Sequence, residues 1–314
     1  RSMPSREAVI NPQPSPSEIT VFAPAKINLI LRILDRRSDG FHNLWSIMQT
    51  IALDDEVQIK LRADRQDIQL RCDVAQLAVD QSNLVYRAAA EVMARAKQSI
   101  GLDIELRKRI PMGAGLGGGS SDAAATIIGL NYLLQLRWSP AQMADAGQSL
   151  GSDVPFFLFA PSAFVAGRGE TVRPVVVEGA RWVVLVNPGF GVNTKWAYQE
   201  LAATRTVVTP LSLAQRELDR QSRVSWDQLI ATAENDFEVP VFAAHGKLRE
   251  IKRSLQAHGA EIALLSGSGA TVFGLFADET RARSAQAQFM SENLMNVFVV
   301  PTCSGPLGWR YERP

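Results

Sequence analysis

Five glycines crowd into one short stretch, Gly113, Ala114, Gly115, Leu116, Gly117, Gly118, Gly119. A glycine has no Cβ, so the chain can come close to a ligand and take positive φ angles. Successive backbone N–H groups can then converge on one concavity, a natural anion site. Pro111 and Met112 lead into the run, and the alternating segment Leu102–Ile110 before it reads as a half-buried strand. Ser120 and Ser121 follow as good helix N-caps, after which Ala123, Ile127, Leu130 and Leu134 recur at helical spacing. A helix N-terminus behind the glycines would add partial positive charge and free donors. Strand, glycine loop and capped helix together point to phosphate, and a flexible linker fits that frame poorly.

The kind of phosphate loop is narrowed by what is missing. No lysine follows the glycines, so the GxxxxGK[ST] pattern is absent. The dinucleotide pattern GxGxxG is met formally by Gly113, Gly115 and Gly118. That pattern calls for an acidic residue about 20 positions on, and residues 123–144 contain no Asp or Glu. A dehydrogenase is thereby disfavoured.

Two further charges sit in apolar surroundings. Lys26 lies between Ala25 and Ile27 in a strand-like run, and Asp153 precedes VPFFLF. Lys26 reads either as a lysine on an exposed strand face or as a cation brought to a phosphate. Asp153 reads either as a turn carboxylate capping a nearby N–H or as a general base. The sequence by itself leaves both pairs of readings open.

The elements that must position these residues are as follows. Ile19–Leu34 reads as strand interrupted near Pro24, and Asp35–Leu44 as a turn. Trp45–Leu53, Glu56–Leu61 and Ile68–Cys72 read as strands, and Leu84–Lys97 and Pro140–Leu150 as helices. Val154–Phe159 and Ala163–Ala166 are predicted strands, with a turn at Gly167–Glu170. A strand begins near Arg181, residues 200–233 are polar with one helical stretch, and Gly246–His258 and Thr280–Phe289 read as helices. Between those two helices lie two apolar strands around a Ser-Gly-Ser-Gly loop. The pattern predicts an α+β protein. The 314 residues predict about two domains, which we place at 19–173 and 174–314, after a Pro- and Ser-rich, disordered lead-in over residues 1–18.

Composition excludes several classes. Thirty-three Lys+Arg against 32 Asp+Glu leave a net charge of +1, so no broad basic field exists for nucleic acid. Cys72 and Cys303 are too few for a disulfide scaffold and match no zinc spacing, and His42, His245 and His258 form no HxxxH pair. No apolar run approaches the ~18 residues of a membrane span, and no secretory signal pattern is present. A cytoplasmic protein with small-molecule substrates is expected, with no membrane association and no evident protein partner.

The string PMGAGLGGGSSDAA, from Pro111, closely resembles the nucleotide loop of the GHMP kinases. APAKINL from Ala23 and LLSGSGATVF from Leu264 resemble two other segments of that superfamily, in the same order. SDGFHNLWSIMQTI from Ser38, LGSDVPFFL from Leu150 and NDFEVPVF from Asn235 resemble the branch whose acceptor is a cytidyl-diphosphate methylerythritol. The resemblance runs from about Ile19 to the C-terminus. It implies an ATP-binding N-terminal domain with a left-handed β-α-β crossover, a ferredoxin-like C-terminal domain, and a site in the cleft between them. The implied reaction is ATP-dependent phosphorylation of the acceptor's 2-hydroxyl; a homoserine- or mevalonate-type kinase is the alternative.

The resemblance also assigns residues. Lys26 and Asp153 match the catalytic pair. Pro111, Met112, Gly113, Ala114, Gly115, Leu116, Gly117, Gly118, Gly119, Ser120 and Ser121 match the ATP loop, and Lys108 is implied to face the nucleotide. Phe41, where the family usually has Tyr, and Tyr198 are implied to sandwich cytosine, with His42 reading the base edge. Asn28, two residues from Lys26 and so on the same strand face, Thr194 and the loop residues Gly267, Ser268 and Gly269 are implied to lie near the acceptor. Mg²⁺ is the implied companion of ATP, with Ser120 or Ser121 as a possible hydroxyl ligand and no choice made between them. Asp122 is read as a charge at the helix N-terminus.

Overall fold

In a computed structural model of the chain, residues 16–290, 296–304 and 310–312 are described. The predicted lead-in therefore falls mostly outside the described residues, and Glu18 already belongs to a strand. The N-terminal half runs β1 (Glu18–Arg36), β2 (His42–Arg62), β3 (Ile68–Cys72), α1 (Leu84–Arg95), β4 (Gly101–Arg107), α2 (Gly118–Leu133), α3 (Pro140–Gly147), α4 (Val154–Phe159), β5 (Ser162–Gly167) and β6 (Thr171–Pro174). It continues through β7 (Val176–Val177), β8 (Trp182–Asn187), α5 (Thr194–Thr204), α6 (Leu213–Leu218), β9 (Arg223–Val224), α7 (Trp226–Thr232), α8 (Glu238–Ala244) and α9 (Gly246–Ala257). The chain ends with β10 (Ile262–Leu265), β11 (Val272–Phe276), α10 (Glu279–Ala287), β12 (Asn296–Pro301) and β13 (Arg310–Glu312).

One sheet has the order β13-β1-β2-β4-β3, with β5 and β6 attached to β2. β1 and β2 form a long antiparallel hairpin whose register shifts between Pro24 and Ala25. That shift absorbs Pro24, which cannot donate to a ladder, so the strand runs through where an interruption was expected. β3 and β4 are parallel and joined through α1, the crossover unit of this half. The second sheet, β10-β11-β8-β12, is antiparallel throughout. With α9 between β8 and β10, and α10 between β11 and β12, it has the ferredoxin-like β-α-β-β-α-β arrangement. Ala25, Ile27 and Leu29 of β1 share a core cluster with Leu185, Phe273 and Leu275 of this sheet. Successive side chains of a strand alternate between faces, so Lys26 and Asn28 are left on the other face of β1.

Three local expectations are corrected. Val154–Phe159 is a helix, not a strand. A six-residue apolar run carries no period that separates a strand from a buried helical turn, and Pro155 suits a helix start but not a ladder. Phe156 and Phe157 are buried there in one cluster with Ala123, Ala124 and Ile127 of α2. Ser120 and Ser121 do not cap α2; the helix starts earlier, with Gly117 as N-cap at φ 70°. The stretch 201–232 holds two short helices, α6 and α7, beyond the end of α5, each opened by a Ser-Gln capping box. No helix among the described residues is long and apolar enough to cross a membrane.

Candidate functional site

The glycine loop leaves β4 under tight control. Asp55, fully buried in β2, accepts hydrogen bonds at Oδ1 from the N–H groups of Arg109 (2.5 Å) and Ile110 (2.8 Å). Its Oδ2 takes Lys108 Nζ at 2.5 Å, and the same ammonium reaches Asp122 Oδ2 at 2.7 Å. Lys108 is buried rather than solvated: its side chain is 5% exposed, beneath Gly118. Burial pushes the Lys108 pKa down, but the Asp122 and Asp55 carboxylates together outweigh burial and raise it. Burial pushes Asp122 up to about 8 against the pull of Lys108. Its Oδ1 is buried without a hydrogen-bond partner.

Above this node lies a cavity of about 400 Å³, lined by Pro111 through Ser120 together with Lys108 and Asp122. Gly118 and Gly119 open α2, so their N–H groups are among those with no intrahelical acceptor. Met112 is half exposed at the rim. Ser121 does not line the cavity: it is buried, and its hydroxyl donates to the Pro24 carbonyl at 2.6 Å. That leaves Ser120 as the loop hydroxyl on the cavity wall.

A second cavity, of about 240 Å³, adjoins the loop and is lined by Lys26, Asn28, Gly115, Gly117, Asp153, Arg168, Thr194, Tyr198, Gly267 and Ser268. Lys26 is 3% exposed, which removes the exposed-face reading. Its Nζ donates to Asn28 Oδ1 at 2.7 Å and lies 3.5 Å from Asp153 Oδ2. Asp153 sits at the N-cap position of α4 but makes no capping hydrogen bond. Asn28 Nδ2 donates to Ser46 Oγ (2.9 Å), which donates to the Ile30 carbonyl (2.6 Å).

The Ser266–Gly269 loop closes over the glycine loop. Ser266 Oγ donates to the Gly115 carbonyl at 2.9 Å, and Gly267 N–H donates to Asn28 Oδ1 at 3.1 Å. Gly115 has φ 78°, and a Cβ there would collide with the Ser266 carbonyl oxygen. Ser268 Oγ pairs with Thr194 Oγ1 at 2.9 Å. Gly269 closes the turn by donating to the Ser266 carbonyl and does not line this cavity.

The cleft opens outward into a cavity of about 860 Å³ lined by Phe41, His42, Arg168, Thr194, Tyr198 and neighbours. His42, not Phe41, lies over Tyr198, with centroids 5.3 Å apart and an interplanar angle of 18°. Phe41, 52% exposed, carries the Arg168 guanidinium 3.6 Å above its centroid. A flat ligand must displace one of these neighbours to enter the stack. Burial, then Arg36 and Arg205, lowers the His42 pKa, favouring the neutral ring that can both donate and accept. Burial and the nearby Asp153 charge push Tyr198 up to about 12.

Two residues were not singled out from sequence. Arg168 lines both acceptor-side cavities, yet it sits in a turn whose only visible signal was Gly-x-Gly. Asp55 sits in the acidic run Asp54-Asp55-Glu56, whose first two residues read as the break between two strands, whereas β2 runs straight through it.

The GHMP kinases N terminal domain matches residues 83–160, and the GHMP kinases C terminal domain matches residues 214–294. A protein from Geobacter sp. (strain M21) named 4-diphosphocytidyl-2-C-methyl-D-erythritol kinase is 40% identical over 86% of this chain and 94% of its own length. A crystal structure of 4-(cytidine 5'-diphospho)-2C-methyl-D-erythritol kinase is 30% identical, with a TM-score of 0.73 over 91% of this chain and 100% of the other. A homoserine kinase from Cytophaga hutchinsonii shares the fold, with a TM-score of 0.74 over 96% of this chain and 99% of the other at 20% identity.

Proposed function

The chain belongs to the GHMP kinases, and from that premise we propose that it transfers the γ-phosphoryl group of ATP to the 2-hydroxyl of 4-diphosphocytidyl-2-C-methyl-D-erythritol. The observation that carries this reading is the Lys26–Asp153 pair, 3.5 Å apart, on a cavity wall shared with glycine-loop residues on one side and Arg168 and Tyr198 on the other. The two most similar named proteins above act, by name, on the cytidyl-diphosphate compound.

In this reading ATP lays its phosphates over Pro111–Ser120, where backbone N–H groups and the α2 N-terminus meet the charge. Asp153 accepts the acceptor's hydroxyl proton as general base. The Lys26 ammonium, 3.5 Å from that carboxylate, stabilises negative charge on the moving phosphoryl group. Positioning and electrostatics do most of the work in such transfers. Among the described residues no group of three or more His, Cys, Asp or Glu side chains could cage a metal. The loop therefore fits a Mg²⁺ carried by phosphates and water, with the Ser120 hydroxyl on hand. When bound, Mg²⁺ would neutralise phosphate charge.

Phe41, His42 and Tyr198 supply the ring faces and edge donors that a cytosine needs. A homoserine or mevalonate acceptor would have no use for them. The test is ADP release over a panel of acceptors. Turnover with the cytidyl-diphosphate compound alone is expected; turnover with homoserine or mevalonate and none with the cytidyl compound would overturn the assignment. The ATP loop would be retained in either case.

A further inference from the structure

Asn235 lies outside both cavities, yet its side chain is wholly committed next to them. It is 5% exposed and sits just before α8. Its Nδ2 donates to two carbonyls at once, Leu265 (2.8 Å) and Gly267 (2.8 Å). Its Oδ1 accepts from Phe237 N–H at 2.9 Å. The backbone around it is stitched to β1: Leu31 N–H donates to the Glu234 carbonyl (2.8 Å), and Asp236 N–H donates to the Leu31 carbonyl (3.0 Å). Asp236 adds a second stitch, accepting from Ile33 N–H at 2.7 Å and from Arg32 Nε at 3.2 Å. The segment Glu234–Asp236 is therefore fixed to the strand that carries Lys26 and Asn28, and Asn235 reaches from it to the Ser266–Gly269 loop.

We propose that Asn235 is a positioning residue for phosphoryl transfer: by gripping the Leu265 and Gly267 carbonyls it holds the Gly267 N–H against Asn28 and so fixes the Lys26 ammonium beside Asp153. The relay can be followed bond by bond. Asn235 fixes the Leu265–Ser266 and Gly267–Ser268 peptide groups, which flank the one that carries the Gly267 N–H. Gly267 N–H then meets Asn28 Oδ1 at 3.1 Å, the same oxygen that takes Lys26 Nζ at 2.7 Å. Lys26 has three donors on a flexible stem, and Asn28 is the acceptor that sets which way the ammonium faces. With the loop released, Asn28 Oδ1 loses one of two donors and the ammonium loses a fixed anchor, 3.5 Å from Asp153 Oδ2. A carboxamide is required at 235. Two carbonyls need a side-chain nitrogen with two hydrogens, and the Phe237 N–H needs an oxygen on the same group. Asp matches the shape but turns an acceptor towards both carbonyls.

The proposal deepens the assignment of Lys26 and Asp153 and rests on it. The experiment compares Asn235→Ala and Asn235→Asp with wild type in steady-state kinetics and in hydrogen–deuterium exchange of peptides covering 264–271. Both variants are expected to lose roughly tenfold or more in kcat, with the KM for ATP little changed. Exchange should rise at 266–269 and remain unchanged in α2. A merely structural role predicts a lower melting temperature with wild-type kcat in the protein that remains folded, and that result would overturn the proposal. So would wild-type exchange at 266–269 in both variants, a readout that needs no acceptor. If wild type phosphorylates a different alcohol, the substrate reading fails, and the same loss of kcat is read with that alcohol. If Asp153→Asn keeps normal turnover, the base assignment fails, but the exchange result still decides whether Asn235 grips the loop.

Discussion

The two sides of the cleft are built on different principles. On the nucleotide side, polar groups are fixed before any ligand arrives. Asp55 holds the backbone ahead of the glycines, Lys108 is locked between Asp55 and Asp122, and the Gly115 carbonyl is taken by Ser266. On the acceptor side, aromatic rings rest on each other or under a guanidinium: His42 on Tyr198, and Arg168 on Phe41. Ring-face contacts of this kind are worth only about 0.5–1.5 kcal/mol each, so a flat ligand can replace one at little cost. A triphosphate offers charge and no shape of its own, and rigid backbone donors suit it. A nucleobase offers a face and an edge, and exchangeable side chains suit it. Lys26 and Asp153 stand on the border.

Changes at that border should be the most damaging. Asp153→Asn is expected to lower kcat by about 10²–10⁴-fold while leaving ATP binding intact. An equal loss of ATP affinity, measured by titration with a non-hydrolysable analogue, would show that the two sides are not separable. Gly115→Ala comes next. Its Cβ would collide with the Ser266 carbonyl at a φ that disfavours side chains, so a cost of about 1–3 kcal/mol is expected in thermal or denaturant melts. A rise in the KM for ATP larger than that for the acceptor should accompany it. Phe41→Ala should raise the acceptor's KM roughly two- to tenfold, the worth of one ring face, with the KM for ATP unchanged. Equal shifts in both constants would break the comparison.

An effect of a different kind, away from the ligands, concerns stability against pH. Burial raises Asp122 to about 8, far above its value in the unfolded chain. Between roughly pH 4 and pH 8 the folded state therefore keeps a proton that the unfolded state has released, and stability falls as pH rises through that window. Lys108, raised above its ordinary value, contributes stability that is lost only at higher pH, so it does not mask this slope. Asp122→Asn should flatten the decline in melting temperature across the window; an unaltered slope would remove Asp122 as its source.

The two sides also differ in how far they could be read from sequence. The loop Pro111–Ser121 is one contiguous string whose chemistry lies in its backbone, so glycine spacing alone pointed to phosphate. Even there Ser121 turned inward to Pro24, and Gly117 took the capping position, because local propensity does not say which hydroxyl a neighbouring strand will claim. The acceptor side joins Phe41, Arg168 and Tyr198 from three separate segments. No periodicity links those segments, and the ring order His42-on-Tyr198 is a product of packing. The helix Val154–Phe159 escaped for the opposite reason: six apolar residues in a row carry no period at all. The parallel β3–β4 pair and the order of the second sheet follow from family resemblance, not from spacing.

The claim of two independent half-sites meeting at Lys26 and Asp153 can be tested most directly by double occupancy. Wild-type protein would be titrated calorimetrically with cytidine 5'-diphosphate, first alone and then when saturated with a non-hydrolysable ATP analogue and Mg²⁺. One site for each ligand is predicted, with cytidine diphosphate binding undiminished in the presence of the analogue. Mutual displacement of the two ligands would contradict the account.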